Sequence, residues 1–111
     1  MMVKELAERL GCRTLCAGDP EVEVVAGYTS DLLSDVMANA VEGSVLITIQ
    51  AHKNTVAVAS IAGIRAIIVC SDRSVPQDML AAAAEEGIAV LVTGDNQFTA
   101  SHRAATELER R

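Results

Sequence analysis

Four short polar stretches hold the residue types that could do chemistry: Tyr28-Thr29-Ser30-Asp31, Ala51-His52-Lys53-Asn54-Thr55, Ser71-Asp72-Arg73-Ser74 and Thr93-Gly94-Asp95-Asn96. The second offers an imidazole, an ammonium and an amide side by side, a set suited to an anion such as a phosphate or a nucleotide tail. Asp72 and Asp95 could together hold a magnesium ion beside a phosphate. Cys12, Cys16 and Cys70, with His52 or His102, would supply enough ligands for a metal. The spacing argues against a dedicated metal site, since no Cys-x-x-Cys knuckle is present and Cys70 ends an apolar run where a thiol behaves as a small hydrophobe. No metal and no cofactor are therefore expected. His102 shares a helical stripe with Phe98, Ser101, Ala105 and Leu108 and is expected at the edge of the core, which leaves His52 as the functional histidine. Neither Gly-x-Ser-x-Gly nor Gly-x-x-x-x-Gly-Lys-Ser/Thr occurs, so hydrolase and kinase chemistry lack their usual nucleophile and phosphate cradle. No catalytic residue is assigned. Polar residues before helices also serve as caps, and capping alone would account for much of the same set.

The elements that must position these groups follow from patterning. Val3, Leu6, Ala7 and Leu10 recur at helical spacing over residues 2–10, and Gly11 closes that helix. A strand is predicted over Cys12–Cys16, a turn at Gly18-Asp19-Pro20 and an alternating strand over 21–27. Ser30 is predicted to N-cap a helix carrying Leu32, Leu33, Val36, Met37 and Ala40. From Ser44 onward, apolar runs alternate with helices: Val45–Ile49, then 54–62, Ala66–Cys70, 76–86, Ile88–Val92, and 97 to the end. Continuous apolar strands signal a parallel sheet covered on both faces, whose connections should be right-handed. The expected fold is thus α/β, a three-layer sandwich with a mostly parallel sheet, in a single domain over 1–111. In such sheets ligands gather where strands end and helices begin. The candidate ligand-binding residues are accordingly Tyr28, Thr29, Ser30, Asp31, His52, Lys53, Asn54, Ser71 and Asp72.

Bulk properties narrow the partners. The chain has 111 residues, half of them hydrophobic, with Tyr28 and Phe98 as its aromatic residues, so Ala, Val, Ile and Leu must build the core. A formal charge of −6 opposes attraction to phosphate backbones, and nucleic acid is not an expected partner. The longest apolar run, Thr55 to Ile64, is broken by Ser60 and Gly63, and the chain starts without the cationic-then-apolar layout of a signal peptide. A cytoplasmic protein without a membrane partner is expected, its three cysteines reduced. The helix over 54–62 is apolar all round; a second subunit covering it and simple packing within one chain both remain open.

The stretches Gly27-Tyr-Thr-Ser-Asp-Leu-Leu-Ser-Asp-Val-Met, Gly43-Ser-Val-Leu-Ile-Thr-Ile-Gln-Ala-His-Lys-Asn and Gly63-Ile-Arg-Ala-Ile-Ile-Val resemble the DRTGG domain family, in particular its small stand-alone members, which are similar to the N-terminal domain of bacterial HPr kinase/phosphorylase. The resemblance runs from the first helix to about Ala105. It implies an HPr kinase N-terminal-domain-like fold, a tendency to form homodimers and a regulatory role, since the domain elsewhere accompanies CBS pairs or phosphotransacetylase. Stand-alone members are often encoded beside iron-only hydrogenases and histidine kinases, which makes those proteins candidate partners. The sequence departs from the family at its name motif: Ala51-His52 stand where Asp-Arg is expected, and Cys70-Ser71-Asp72 where Thr-Gly-Gly is expected. The expected function is a non-catalytic sensor of a small anionic metabolite or nucleotide, with a protein-binding accessory subunit as the alternative.

Overall fold

A computed structural model describes residues 1–110. Its elements in chain order are α1 (Val3–Leu10), β1 (Arg13–Cys16), β2 (Ala26–Thr29), α2 (Leu33–Asn39), β3 (Ser44–Thr48), α3 (Lys53–Ala62), β4 (Ala66–Val69), α4 (Gln77–Glu86), β5 (Ala89–Val92) and α5 (Gln97–Arg110). The strands lie in the order β1-β5-β4-β3-β2, parallel from β2 to β5, with β1 antiparallel on the β5 edge.

The apolar runs become strands because every residue of β3, β4 and β5 is buried, as a sheet covered on both faces requires. Alternation then sorts them. Val45, Ile47, Ala66, Ile68, Cys70, Ala89 and Leu91 face α1 and α5, while Leu46, Ile67, Val69, Val90 and Val92 face the layer of α2, α3 and α4. Because β2, β3, β4 and β5 are added in one direction, connections of one hand drop α2, α3 and α4 on the same face. The chain changes face after β5, and α5 runs back to pack on β2 and β3.

Three expectations change in detail. The predicted strand over 21–27 moves to Ala26–Thr29, and Glu23 makes only an isolated bridge to Met2. Ser30 does not cap α2: its Oγ accepts from the Leu32 amide at 3.1 Å in a local turn, and the helix starts afterwards at Leu33. On α5 the buried stripe is Ala100, Ala104 and Leu108, whereas Phe98 is 84% exposed and His102 points to solvent. Small residues at i and i+4, Ala100 and Ala104, let α5 lie close on the sheet, and that sets which side of the helix turns inward. Among the described residues, no helix is long and apolar enough to cross a membrane.

Candidate functional site

The loops after β2, β3, β4 and β5 emerge side by side at one end of the sheet, in the order that strand pairing imposes. Asp31 joins three of the segments there. Its Oδ1 accepts from the Thr48 hydroxyl, the Ile49 amide and the Gln97 side-chain amide, each at 2.9 Å, and its carbonyl accepts from Gln50 Nε2 at 3.0 Å. One residue thus ties the β2 exit to the β3 exit and to the first turn of α5. Burial alone would raise the carboxyl pKa; the Ile49, Thr48 and Gln97 donors and the nearby Arg73 charge outweigh it and hold the group below its ordinary value. Asp31 is therefore a fixed anion and a poor proton acceptor at neutral pH.

The neighbours of Asp31 diverge, since successive strand residues face opposite ways. Tyr28 donates its hydroxyl to Asp35 Oδ1 at 2.8 Å on the α2 side, where Asn39 Nδ2 donates to the same oxygen. Hydrogen bonds from Ser30, Asn39 and Tyr28 lower the Asp35 pKa, and the bond to Asp35 raises that of Tyr28. Thr29 faces the other way and meets Ser101 of α5, oxygen to oxygen at 2.6 Å. Ser30 is occupied by its own turn.

His52 is the N-cap of α3, its Nδ1 accepting from the Asn54 amide at 3.0 Å, so the neutral ring carries its proton on Nε2. Lys53 and Asn54 are exposed and line a shallow groove of about 310 Å³ between α3 and α4, walled by Val56, Ala57 and Ala82. No hydrogen bond links these three residues to Asp31 among the described residues; the β3 exit reaches Asp31 through Thr48, Ile49 and Gln50 instead.

Ser71 and Asp72 adopt left-handed backbone, with φ of 62° and 52°. Their amides donate to the carbonyls of Asp95 and Thr93 at 2.8 and 3.0 Å, so the β4 and β5 loops are zipped together. These are the positions where the resemblance places two glycines, the residues that take such dihedrals at least cost. The Asp72 carboxylate lies over Gly94, where an added Cβ would stand 3.1 Å from its Oδ2. Asp95 turns away and pairs with Arg103, Nη1 to Oδ2 at 2.6 Å.

Cys70 is fully buried on the α5 face, and burial first, then Cys12 nearby, pushes its thiol up to about 11. Burial also raises the Cys12 thiol, with Arg103 opposing it. Cys16 packs on the opposite face. The strand register, Arg13 with Val92 and Val69 with Val92, extends to a row of Cys12, Thr93 and Cys70. The two cysteines then stand two strand spacings apart, about 9.5 Å between Cα atoms, beyond the reach of a disulfide. Among the described residues, no three His, Cys, Asp or Glu side chains are grouped to hold a metal ion.

Of the groups that build this end of the molecule, Thr48, Gln50, Gln97, Ser101 and Arg103 had no place among the sequence candidates. Thr48 carried a usable signal as the hydroxyl inside an otherwise apolar strand, 0% exposed and hence in need of a partner. Gln97 and Ser101 carried none, because their partners lie 66 and 72 residues away.

No known family's sequence profile matches the chain, and no curated protein does. Among solved structures it is similar to the crystal structure of the CBS and DRTGG domains of the regulatory region of Clostridium perfringens pyrophosphatase, complexed with the activator diadenosine tetraphosphate. The TM-score is 0.74 at 17% sequence identity, over 93% of this chain. The fold is DRTGG-like. The matched region spans 45% of the pyrophosphatase chain, so this DRTGG-like unit corresponds to somewhat less than half of that structure.

Proposed function

We propose that this DRTGG-like domain is a non-catalytic regulatory module of the cytoplasm that binds a small anionic metabolite or nucleotide at the carboxyl ends of β2 to β5. The observation that carries this reading is the Asp31 junction, where one carboxylate fastens the β2 exit, the β3 exit and the start of α5. A ligand displacing or capturing any partner of that junction would be felt by three segments at once. Lys53 and Arg73 supply positive charge on the flanking loops. The nucleotide activator in the complex of the pyrophosphatase regulatory region, part of which has a similar fold, supports the ligand class.

The test is a thermal-shift series with diadenosine tetraphosphate, ATP, AMP and phosphorylated metabolites. A ligand at one hundred times its dissociation constant adds about 2.7 kcal/mol, or roughly 10 °C for a domain this size. The gain should shrink in Lys53→Ala and Arg73→Ala. No shift with any of these compounds removes the proposal.

A protein-binding accessory role is favoured by a different observation: Ile61, Val41 and Met37 on the α2–α3 layer are 72%, 63% and 47% exposed. Either a second copy of the chain or a hydrogenase or histidine-kinase partner would suit such a surface. Sedimentation equilibrium and co-purification from the native host test it. A monomer recovered alone from cells expressing all neighbouring genes ends that reading.

A further inference from the structure

The two edges of the sheet are guarded differently. β1 carries the charged Arg13, and its pairing with β5 breaks register between Thr14 and Cys16, both devices that discourage a further strand. β2, Ala26-Gly27-Tyr28-Thr29, has no charge, no proline and an unbroken register with β3. The Ser30 amide donates to the Ile47 carbonyl at 3.2 Å. By the alternation of a parallel ladder Tyr28 also turns its amide to β3, while Gly27 and Thr29 turn theirs outward together with their carbonyls. Both residues are exposed, and among the described residues no strand lies beyond them.

Beside this edge the helix and the sheet leave a gap. Gly27 pairs with Val45 on the face that α5 covers, and a Cβ built on it would meet nothing closer than Val45 Cγ1 at 3.7 Å. The space is a slot of about 210 Å³, with Gly27 and Ile47 on the sheet side and Ser101, Ala104 and Ala105 on the helix side. Thr29 and Ser101 meet at its strand-exit end, oxygen to oxygen at 2.6 Å. The slot is uncharged, and it reaches solvent past Gly27, which has no side chain to close it. An unguarded strand edge and an apolar slot beside it are the two parts of a site for strand addition: backbone groups give affinity, and a pocket takes alternate side chains.

A second copy of the chain fits this edge poorly. α5 rests on β2 more than on β3. Pairing β2 with its own mate at a strand spacing of about 4.8 Å would bring the two α5 helices closer than the roughly 8–10 Å at which helices pack. A four-residue edge also buries far less than the roughly 800 Å² per partner of a standard stable interface. A lone extended segment brings no helix, and the small Ser101 and Ala105 leave room for its side chains. The net charge of −6 favours a segment with basic ends. We infer that the β2 edge is a docking site for an extended peptide of a partner protein, which adds a sixth strand through the outward groups of Gly27 and Thr29 and seats one aliphatic side chain in the slot under α5. This surface is separate from the α2–α3 layer and does not depend on what binds at the strand exits.

The experiment is a titration of the 15N-labelled protein with the peptide acetyl-KTVTLTK-amide, read by amide chemical shifts and hydrogen exchange. The control is the same peptide with its three central amides N-methylated, which keeps the charge and the side chains and removes strand donors. In the free protein the Gly27 and Thr29 amides should exchange fast and those of Tyr28 and Ser30 slowly. A contact this small should have a dissociation constant near ~0.5 mM, with shifts centred on Gly27, Thr29, Ser101 and Ala105. At 5 mM peptide, exchange at Gly27 and Thr29 should slow about tenfold. Gly27→Val fills the slot with a residue suited to a strand and should weaken the peptide at least tenfold while the melting temperature stays within ~2 °C of the parent or rises. Ala105→Leu, at an exposed position on the helix side of the slot, should weaken it likewise. Equal affinity for the methylated control overturns the proposal, as does parental affinity in both variants. Shifts centred on Met37, Val41 and Ile61 would place the peptide on the α2–α3 layer and also overturn it. Protection of Gly27 and Thr29 that grows with protein concentration alone would put a second copy on the edge, with the same consequence. So would the absence of any shift by 5 mM peptide, about ten times the expected constant.

Discussion

Replacing Asp31 by alanine should cost this domain about 2–4 kcal/mol, a large share of the 5–15 kcal/mol typical of single domains. Its Oδ1 accepts three hydrogen bonds at 2.9 Å. In Asp31→Ala the half-buried Gln97 side chain, on the first turn of α5, can swing its amide to water at modest cost. The Thr48 hydroxyl, 0% exposed, and the part-buried Ile49 amide cannot, and each stranded buried donor costs roughly 1–3 kcal/mol. Urea unfolding followed by far-ultraviolet circular dichroism reads this directly. With an m-value near ~1.5 kcal/mol/M, the midpoint should fall by roughly 2 M at unchanged slope. Asp31→Asn keeps an acceptor oxygen and loses only the charge, so its cost should be about 1 kcal/mol. The pH dependence has a definite sign. The folded carboxyl titrates below its ordinary value of 3.8, so its extra stability is fully present above that value and is lost as pH falls through the folded one. The gap between parent and Asp31→Asn should be constant from pH 5 to 8 and close below about pH 3.8. A cost under 0.5 kcal/mol for Asp31→Ala, or a gap that widens in acid, would refute the account of Asp31 as the junction.

Other substitutions test the loops and the thiols. Ser71→Gly should stabilise by about 0.5–1 kcal/mol by relieving a left-handed φ of 62°, and Asp72→Gly by less, since aspartate tolerates that region; a net loss in Ser71→Gly would contradict the backbone assignment. Gly18→Ala should cost roughly 3 kcal/mol or more, because the added Cβ would sit 2.5 Å from the Ala89 nitrogen and 2.9 Å from the Ile88 carbonyl carbon, backbone that cannot turn aside; a midpoint shift worth under 1 kcal/mol would show that the turn is not pinned there. With Ellman's reagent at pH 8, Cys70 should react only on unfolding, its thiol being fully buried and raised to about 11, while half-buried Cys16 reacts in the native protein; fast modification of all three would overturn the packing of β4.

Much of the fold was legible along the chain. The runs Val45–Ile49, Ala66–Cys70 and Ile88–Val92 announced buried parallel strands because a strand covered on both faces needs apolar side chains at every position. The left-handed glycines at 11, 63 and 87 closed α1, α3 and α4 within a residue or so of the predicted ends. Such signals are local: each depends on a side chain's relation to its own backbone and to the solvent. What the sequence left open was which way each polar residue at a strand exit faces and whom it meets. Tyr28 and Thr29 are adjacent in the chain and end on opposite faces of the sheet, one on Asp35 and the other on Ser101. His52 had the residue type of a functional group, and the backbone turn at the start of α3 made it a cap. Asp31 became central only when the order β5-β4-β3-β2 set the β2 and β3 exits side by side and the change of face after β5 brought Gln97 to it. Contacts between residues 66 apart carry no local signature, because loop closure over that distance is decided by the packing of the whole sheet and not by either residue's own preference.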